Sequence, residues 1–285
     1  MAGRRKPEWL KVRLPQGKIS MQVNEVVRTH RLHTICTDGL CPNRSECWAR
    51  GTATFMVGGD VCTRSCKFCH VKTGRPSALD PKEPENIARS VKLLQLRHAV
   101  ITSVDRDDLP DLGAAHWVRV IQAVRAANPG VTMETLIPDF QGRPELISLV
   151  LGARPEVVSH NLETVRRLSK SIRSRATYEA SLEVIRQVAA SGVVAKSGVM
   201  LGLGETREEI LETMDDLRSA GCSVMTIGQY LQPSEKNVEV AEYVRPETFE
   251  EYRRIGKEKG FAHVESAPLV RSSYHAEKHR LMIND

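Results

Sequence analysis

Six of the seven cysteines fall between residues 36 and 69, in two groups of three. Cys36, Cys41 and Cys47 are spaced Cys-x4-Cys-x5-Cys. Cys62, Cys66 and Cys69 are spaced Cys-x3-Cys-x2-Cys, directly after a Gly58-Gly59-Asp60 turn. Clustered thiolates are soft ligands, suited to zinc or to iron–sulfur clusters. The number in each group bears on the choice, because a closed structural zinc site wants four ligands, usually as two pairs. A cubane 4Fe–4S cluster has four irons, so three thiolates from one loop hold three corners and leave the fourth iron open to a substrate or cofactor. Other readings stay open at this level. Zinc could be completed by His30, His33 or His70, and Cys66-Lys-Phe-Cys69-His70 matches a c-type haem attachment pattern. Haem would leave Cys62 and the first trio unexplained. Disulfides are disfavoured in a chain with no export signal, expected in a reducing compartment. Cys222, in Ala-Gly-Cys-Ser-Val-Met, reads as a small packed apolar side chain.

The elements that must position these loops repeat regularly. β-branched runs at Thr54–Val57, Val100–Ser103, Val131–Thr135, Glu156–His160, Val193–Met200 and Val224–Gly228 read as strands. Amphipathic stretches near 84–97, 114–127, 143–151, 162–169, 178–191 and 206–220 read as helices, with Thr206 and Glu209 forming a capping box. Six βα units imply parallel strands with right-handed crossovers. The fold class expected is α/β, a partial TIM-like (β/α)6 barrel at 54–230. An N-terminal extension at 1–53 and a C-terminal extension at 231–285 are expected to cover its mouth within one structural domain. An open doubly wound sheet is the alternative. The strand ends are polar, with Thr102-Ser103 before Val-Asp-Arg-Asp-Asp, Glu134 after Met133, and His160-Asn161 after Val158-Ser159. In such barrels the C-terminal strand ends build the active site, so these residues should face one cavity.

Composition narrows the setting. Of 285 residues, 41% are hydrophobic and 27% charged, as in an ordinary globular protein. No stretch approaches the ~18 apolar residues of a membrane span, and the basic N-terminus lacks the apolar run of a secretory signal. The expectation is a cytoplasmic protein with no membrane partner. The net charge of +6 serves solubility or a preference for an acidic partner surface. With 5% aromatics and no basic block interleaved with them, nucleic acid is not an expected partner.

Cys62-x3-Cys66-x2-Cys69, with Phe68 before the last cysteine and a strand before the loop, resembles the signature of the radical S-adenosylmethionine superfamily. In that superfamily the open iron is chelated by S-adenosylmethionine, which is cleaved reductively to a 5′-deoxyadenosyl radical. Cys41-Pro-Asn-Arg-Ser-Glu-Cys47-Trp, Gly51-Thr-Ala-Thr-Phe-Met, Thr102-Ser-Val-Asp-Arg-Asp-Asp-Leu, Glu134-Thr-Leu-Ile-Pro-Asp-Phe, Ser159-His-Asn-Leu-Glu-Thr-Val and Val270-Arg-Ser-Ser-Tyr-His-Ala narrow the resemblance to the lipoyl synthase family, from about residue 7 to 279.

That resemblance implies insertion of two sulfurs at carbons 6 and 8 of an octanoyl chain on a carrier-domain lysine. It implies two 4Fe–4S clusters and S-adenosylmethionine as cofactors. Cys36, Cys41 and Cys47 would hold an auxiliary cluster consumed as sulfur source, with Ser273 rather than Ser272 as its fourth ligand. Cys62, Cys66 and Cys69 would hold the reducing cluster. A serine alkoxide, harder than thiolate, would leave a soft iron more easily. Thr102 and Ser103 would meet the methionyl amino group, Glu134 the ribose, Asn161 the nucleoside and Arg173 the carboxylate, with Gly198-Val-Met-Leu-Gly-Leu-Gly-Glu205 supporting adenine. Implied partners are octanoylated lipoyl carrier domains (E2 subunits of 2-oxoacid dehydrogenases and the glycine cleavage H protein), reduced ferredoxin or flavodoxin, and iron–sulfur carrier proteins. The alternative is another radical sulfur-inserting or peptide-modifying enzyme with an auxiliary cluster. Two departures stand out. Ile172-Arg-Ser-Arg-Ala-Thr-Tyr178 makes Arg175 a rival to Arg173, and Asn237 stands where the family usually carries a histidine.

Overall fold

The computed structural model describes residues 5–11, 18–29, 32–50 and 53–277. His30, Gly51, Thr52 and the end of the family resemblance at 278–279 lie outside them. In chain order the strands are β1 (His33–Thr34), β2 (Thr54–Val57), β3 (Val61–Cys62), β4 (Lys72–Thr73), β5 (His98–Ser103), β6 (Thr132–Leu136), β7 (Val157–Ser159), β8 (Val194–Leu201), β9 (Val224–Gln229) and β10 (His263–Ser266). The helices are α1 (Lys18–Thr29), α2 (Ile35–Asp38), α3 (Arg44–Ala49), α4 (Glu83–Leu93), α5 (Ala114–Ala127), α6 (Pro144–Gly152), α7 (Arg166–Ile172), α8 (Tyr178–Ala190), α9 (Arg207–Ser219) and α10 (Pro246–Glu258).

β2, β5, β6, β7, β8, β9 and β10 pair in that order, all parallel, and β1 adds an antiparallel edge beside β2. Among the described residues no ladder joins β10 back to β1, so the sheet is an open barrel. The six expected strands and six helices are all present, the strand ends shifted by at most two residues, while the helices expected near 84–97 and 162–169 run over Glu83–Leu93 and Arg166–Ile172. The capping box at Thr206 and Glu209 forms as expected. The repeat runs further than expected. After residue 231, α10 and β10 add one more parallel strand. His263-Val-Glu-Ser has only one β-branched residue in four and alternates half-buried with buried, so it lacked the apolar run that marked the others.

Alternation along each strand divides the interior. In β5, Ala99 and Ile101 point outward into the main core, where Ile87 and Val91 of α4 meet Trp117, Ile121 and Val124 of α5. Each such side chain contributes about 1.5–3 kcal/mol when fully buried. His98, Val100 and Thr102 occupy the other face, inside the barrel. Met133 and Glu134 divide the same way on β6, as do Ala195 and Lys196 on β8. The larger polar side chains of these strands, His98, Glu134 and Lys196, thus lie on the inward face, where a site can use them, while the small Thr135 and Ser197 are buried on the outer face.

Candidate active site

The second trio lies at the C-terminal end of β2. Gly58 and Gly59 adopt φ of 85° and 95°, the left-handed region where glycine is least strained, and turn the chain into the cysteine loop. The Gly58 amide donates to Glu83 Oε2 (2.8 Å), which also meets His116 Nε2 (2.5 Å). Within the loop Arg64 is buried. It donates to Asp107 through Nε and Nη2 (2.8 and 2.9 Å) and to Asp139 Oδ1 through Nη2 (2.7 Å), with Asp105 3.4 Å away. The loop is thus fastened to the ends of β5 and β6. Asp107 and Asp139 are held below the usual carboxylate range by this guanidinium, against the opposing effect of burial. Burial and the neighbouring Asp105 push the Cys62 thiol up to about 12, and burial pushes Cys69 up to about 11. The Cys62 sulfur accepts from the amides of Arg64 (3.4 Å) and Asp105 (3.3 Å), bonds that favour a thiolate once a positive metal centre is beside it.

Cys62, Cys66 and Cys69 line a cavity of about 550 Å³ at the barrel mouth, with Thr102, Ser103, Asn161 and Arg173 in its wall. Asn161 Oδ1 is buried in this wall without a hydrogen-bond partner. A Cβ on Gly198 would lie 2.3 Å from Thr226 Oγ1, so only glycine leaves β8 this flat beneath the cavity. An unfilled acceptor and a bare strand suit a nucleoside. Arg173 Nη1 donates to Ser181 Oγ (2.6 Å), and Ser181 also bonds His160 Nε2 (3.0 Å), whose Nδ1 meets the Ile137 carbonyl (2.9 Å). Burial and the Arg173 charge bring His160 down to about 4, so it is neutral. Arg175 points away from the cavity, toward Asp107 (3.3 Å), and is exposed. Asn237 donates to the carbonyls of Lys67 (3.1 Å) and Cys69 (2.9 Å), backing the cysteine loop from outside.

Glu134 departs from expectation. It does not line this cavity. It lies on β6 two residues before Leu136, on the same face but one layer deeper, and accepts from Lys196 Nζ (2.6 Å) with both side chains fully buried. Its place along the strand, too far from the C-terminal end, keeps it from the mouth.

The first trio is assembled from both ends of the chain. Cys36, Cys41 and Cys47 line a second, smaller cavity with Ser273, while Ser272 lines the large one and Arg271 lines both. Asn43 Nδ2 donates to the Leu269 carbonyl (2.6 Å), Tyr274 OH to Glu46 (3.2 Å), and Arg50 meets His275 Nδ1 (3.2 Å). Burial raises the Cys36 and Cys41 thiols. The Thr54 amide opposes this at Cys36, and the Asn43 amide and the Arg271 charge oppose it at Cys41. The Trp48 indole N–H, packed in the cluster that holds Cys36 and Cys47, is buried and also opposes the rise at Cys36 through a hydrogen bond. Three thiols and one hydroxyl around one space, with the Thr54 and Asn43 amides and the Trp48 indole hydrogen-bonded to the sulfurs, fit an iron–sulfur cluster. Among the described residues no three His, Cys, Asp or Glu side chains form a group that could hold a single metal ion. His70 Nδ1 meets the Asp38 carbonyl (3.1 Å). Cys222 is buried and bonds the Val224 carbonyl (3.2 Å), as a packed side chain does.

Arg64, Asp139, Ser181 and Lys196 escaped the sequence reading as supporting residues, whereas His160, expected at the cavity from its place at a strand end, lines it. Arg64 was visible as a cation inside the cysteine loop facing the Asp-Arg-Asp-Asp segment, whereas Ser181 and Lys196 lie inside ordinary elements and carried no signal. No helix among the described residues is long and apolar enough to cross a membrane.

The sequence profile of the radical SAM superfamily matches residues 56–217. A curated relative from Treponema denticola named lipoyl synthase is 66% identical over 277 residues, covering 97% of this chain and 96% of the relative. The lipoyl synthase of Parabacteroides distasonis is 62% identical over 275 residues, covering 96% and 98%. Among solved structures, Streptococcus suis SuiB bound to precursor peptide SuiA superposes with a TM-score of 0.60 at 11% identity, covering 86% of this chain and 52% of that one. HydG, a maturase of the FeFe-hydrogenase, gives 0.58 at 14%, covering 90% and 57%. This chain therefore spans little more than half of either neighbour, and what they share is the fold. At such identity over nearly its whole length, the chain belongs to the lipoyl synthase family of radical S-adenosylmethionine enzymes.

Proposed function

We infer that this chain inserts two sulfur atoms, at carbons 6 and 8, into an octanoyl group carried on a lysine of a lipoyl carrier domain. Cys62, Cys66 and Cys69 hold the reducing 4Fe–4S cluster in this reading. Cys36, Cys41, Cys47 and Ser273 hold the auxiliary 4Fe–4S cluster, which is the sulfur-donating substrate. The observation that carries the reading is that Ser273, more than two hundred residues from the first trio, lines the same small cavity. Ser272 faces the other cavity.

When bound, S-adenosylmethionine and the reducing cluster supply a radical that removes hydrogen from an unactivated carbon. The chain's own residues bind, orient and exclude water. Thr102 and Ser103 meet the methionyl amino group, Arg173 the carboxylate, and Asn161 Oδ1 accepts from the nucleoside. The His160–Ser181 pair holds Arg173 in one orientation. Met56, Val71, Leu136, Val199 and Tyr230 give the cavity an apolar wall that keeps water from a reactive intermediate. The Ser273 oxygen, the hardest base among four ligands, is the one suited to leave when iron is shed. The carriers are E2 subunits of 2-oxoacid dehydrogenases and the glycine cleavage H protein. Ferredoxin or flavodoxin supplies electrons, iron–sulfur carriers rebuild the auxiliary cluster, and the setting is the cytoplasm.

The test is anaerobic reconstitution with iron and sulfide, followed by an octanoyl-lysine peptide, S-adenosylmethionine and a reductant. Mass spectrometry should find two sulfurs added. A protein that carries zinc or haem in place of about eight irons, or an octanoyl peptide returned unchanged, overturns the reading.

A further inference from the structure

We propose that Lys196, held by Glu134, is a positioning residue that seats the Ser272 carbonyl and thereby fixes Ser273 against the auxiliary trio. The inference rests on the ligand assignment above and deepens it.

Lys196 and Glu134 are both 0% exposed. A buried ammonium and carboxylate persist only when paired and further hydrogen-bonded, since desolvation costs several kcal/mol per ion. The pairing bond is 2.6 Å, and Lys196 Nζ also donates to the Ser272 carbonyl at 2.5 Å. That second bond joins β8 to a turn 76 residues later in sequence.

The place of the pair explains its reach. Lys196 shares a strand face with Gly198, which lines the large cavity, and Glu134 pairs in register with Val100, which lines the small one. The ammonium therefore lies inside the barrel between the two cavities, at the level where the chain passes from Ser272 to Ser273. Neighbouring contacts prepare the approach. Gln229 N donates to the Pro268 carbonyl (3.0 Å), and a Cβ on Gly228 would lie 2.0 Å from the Val270 carbonyl, so only glycine admits the segment. Those contacts end at Val270. The lysine extends the hold to residue 272. It grips backbone and leaves the Ser273 hydroxyl to the iron. This also gives Glu134 work other than contact with the ribose.

The test uses the full-length Glu134→Gln/Lys196→Met double variant, which removes both buried charges and leaves neither unpaired. Hydrogen exchange is followed first on the protein without clusters. Losing a charge-assisted bond of about 1.5–3 kcal/mol should speed exchange of the 271–274 amides about 10- to 100-fold, with the β5–β6 amides unchanged. After reconstitution with 57Fe, the Mössbauer component of the serine-bound iron should fall as it does in Ser273→Ala. Deoxyadenosine formation should stay within about two-fold of the parent while sulfur insertion drops at least ten-fold. Parental exchange and an intact serine-bound component in the double variant overturn the proposal. Should the double variant fold poorly, Glu134→Gln alone keeps the Lys196 bond to Ser272 and is expected to keep most of the serine-bound component. A rise of ten-fold or more in the KM for S-adenosylmethionine in that variant, with the auxiliary cluster unaltered, places Glu134 at the nucleotide and overturns the proposal as well. A parent that inserts no sulfur sinks the function instead, and the exchange experiment still reads the tether.

Discussion

The two cysteine trios are built on opposite plans. Cys62, Cys66 and Cys69 come from one eight-residue loop, clamped by Arg64 to Asp107 and Asp139 at the ends of adjacent strands. All three cysteines and most of the clamp come from chain near in sequence or from neighbouring strands. The other trio is completed only when residues 269–275 reach back to residues 36–50, through Asn43 to Leu269, Glu46 to Tyr274 and Arg50 to His275. The first site is fixed by local geometry and the barrel. The second is closed by the chain ends, through bonds that are mostly exposed. A cluster used repeatedly suits the first plan, and a cluster that is dismantled and rebuilt suits the second. The exposed pairs are worth at most about 1 kcal/mol each, so the Lys196–Ser272 bond carries most of the hold on the closing segment.

The largest effect expected is at the fixed site. Cys62→Ala should abolish 5′-deoxyadenosine formation, measured by liquid chromatography, while iron at the first trio persists. Undiminished formation would show that the trios are assigned the wrong way round. Next comes the closing site. Ser273→Ala should still cleave S-adenosylmethionine at about the parental rate, yet lose at least a hundred-fold in lipoyl product. Normal product from this variant would refute serine ligation.

How far the sequence foretold this division follows from sequence distance. The spacing Cys62-x3-Cys66-x2-Cys69 lies on one loop, so its partners were near at hand and the six strands around it could be read from β-branched runs. The pairing of Ser273 with Cys36, Cys41 and Cys47 could not be read from spacing at all. It came from family resemblance, because no local rule links residues some 230 apart. Glu134 shows the converse limit. Its residue type and strand were read correctly, but its depth along the barrel axis decides whether it meets a ligand or Lys196, and a one-layer difference leaves no mark in the pattern. β10 was missed for a related reason, since its half-polar alternation looks like loop until β9 is seen beside it.

A third prediction probes the clamp. Arg64→Met strands Asp107 and Asp139, of which Asp139 is deeply buried, and removing one member of such a network costs about 3–5 kcal/mol. Thermal unfolding should fall by several degrees, and the reducing cluster should reconstitute poorly while the auxiliary one loads. Equal loss at both clusters would mean that the two sites are not independent units. A fourth uses pH. His160 is fully buried and titrates near 4, below its ordinary 6.5. The unfolded chain therefore binds a proton between these values that the folded one does not. Stability should be full above about pH 6.5 and fall as pH drops toward 4, by on the order of 3 kcal/mol. Asp139, Arg173 and Arg64 face the ring and act on the same titration. His160→Gln should flatten that slope in denaturant titrations across pH. An unchanged slope would mean that the acid loss arises elsewhere.

The smallest effect tests how rigid the fixed site is. Asn237 gives both amide hydrogens to the Lys67 and Cys69 carbonyls, and the Val238 amide adds a third bond to Lys67 (3.0 Å). The loop is thus held on its outer side by a segment from beyond β9, and on its inner side by Arg64. Since each neutral bond is worth about 1 kcal/mol, Asn237→Ala should cost about 2 kcal/mol locally. The expected result is up to about thirty-fold faster amide exchange in residues 67–70, with cluster loading unchanged and deoxyadenosine formation reduced by less than about five-fold. If Asn237→Ala instead prevents the reducing cluster from assembling, the loop is not carried by the Arg64 clamp. The contrast between a locally fixed trio and one closed from afar would then give way to two sites that both depend on the C-terminal segment.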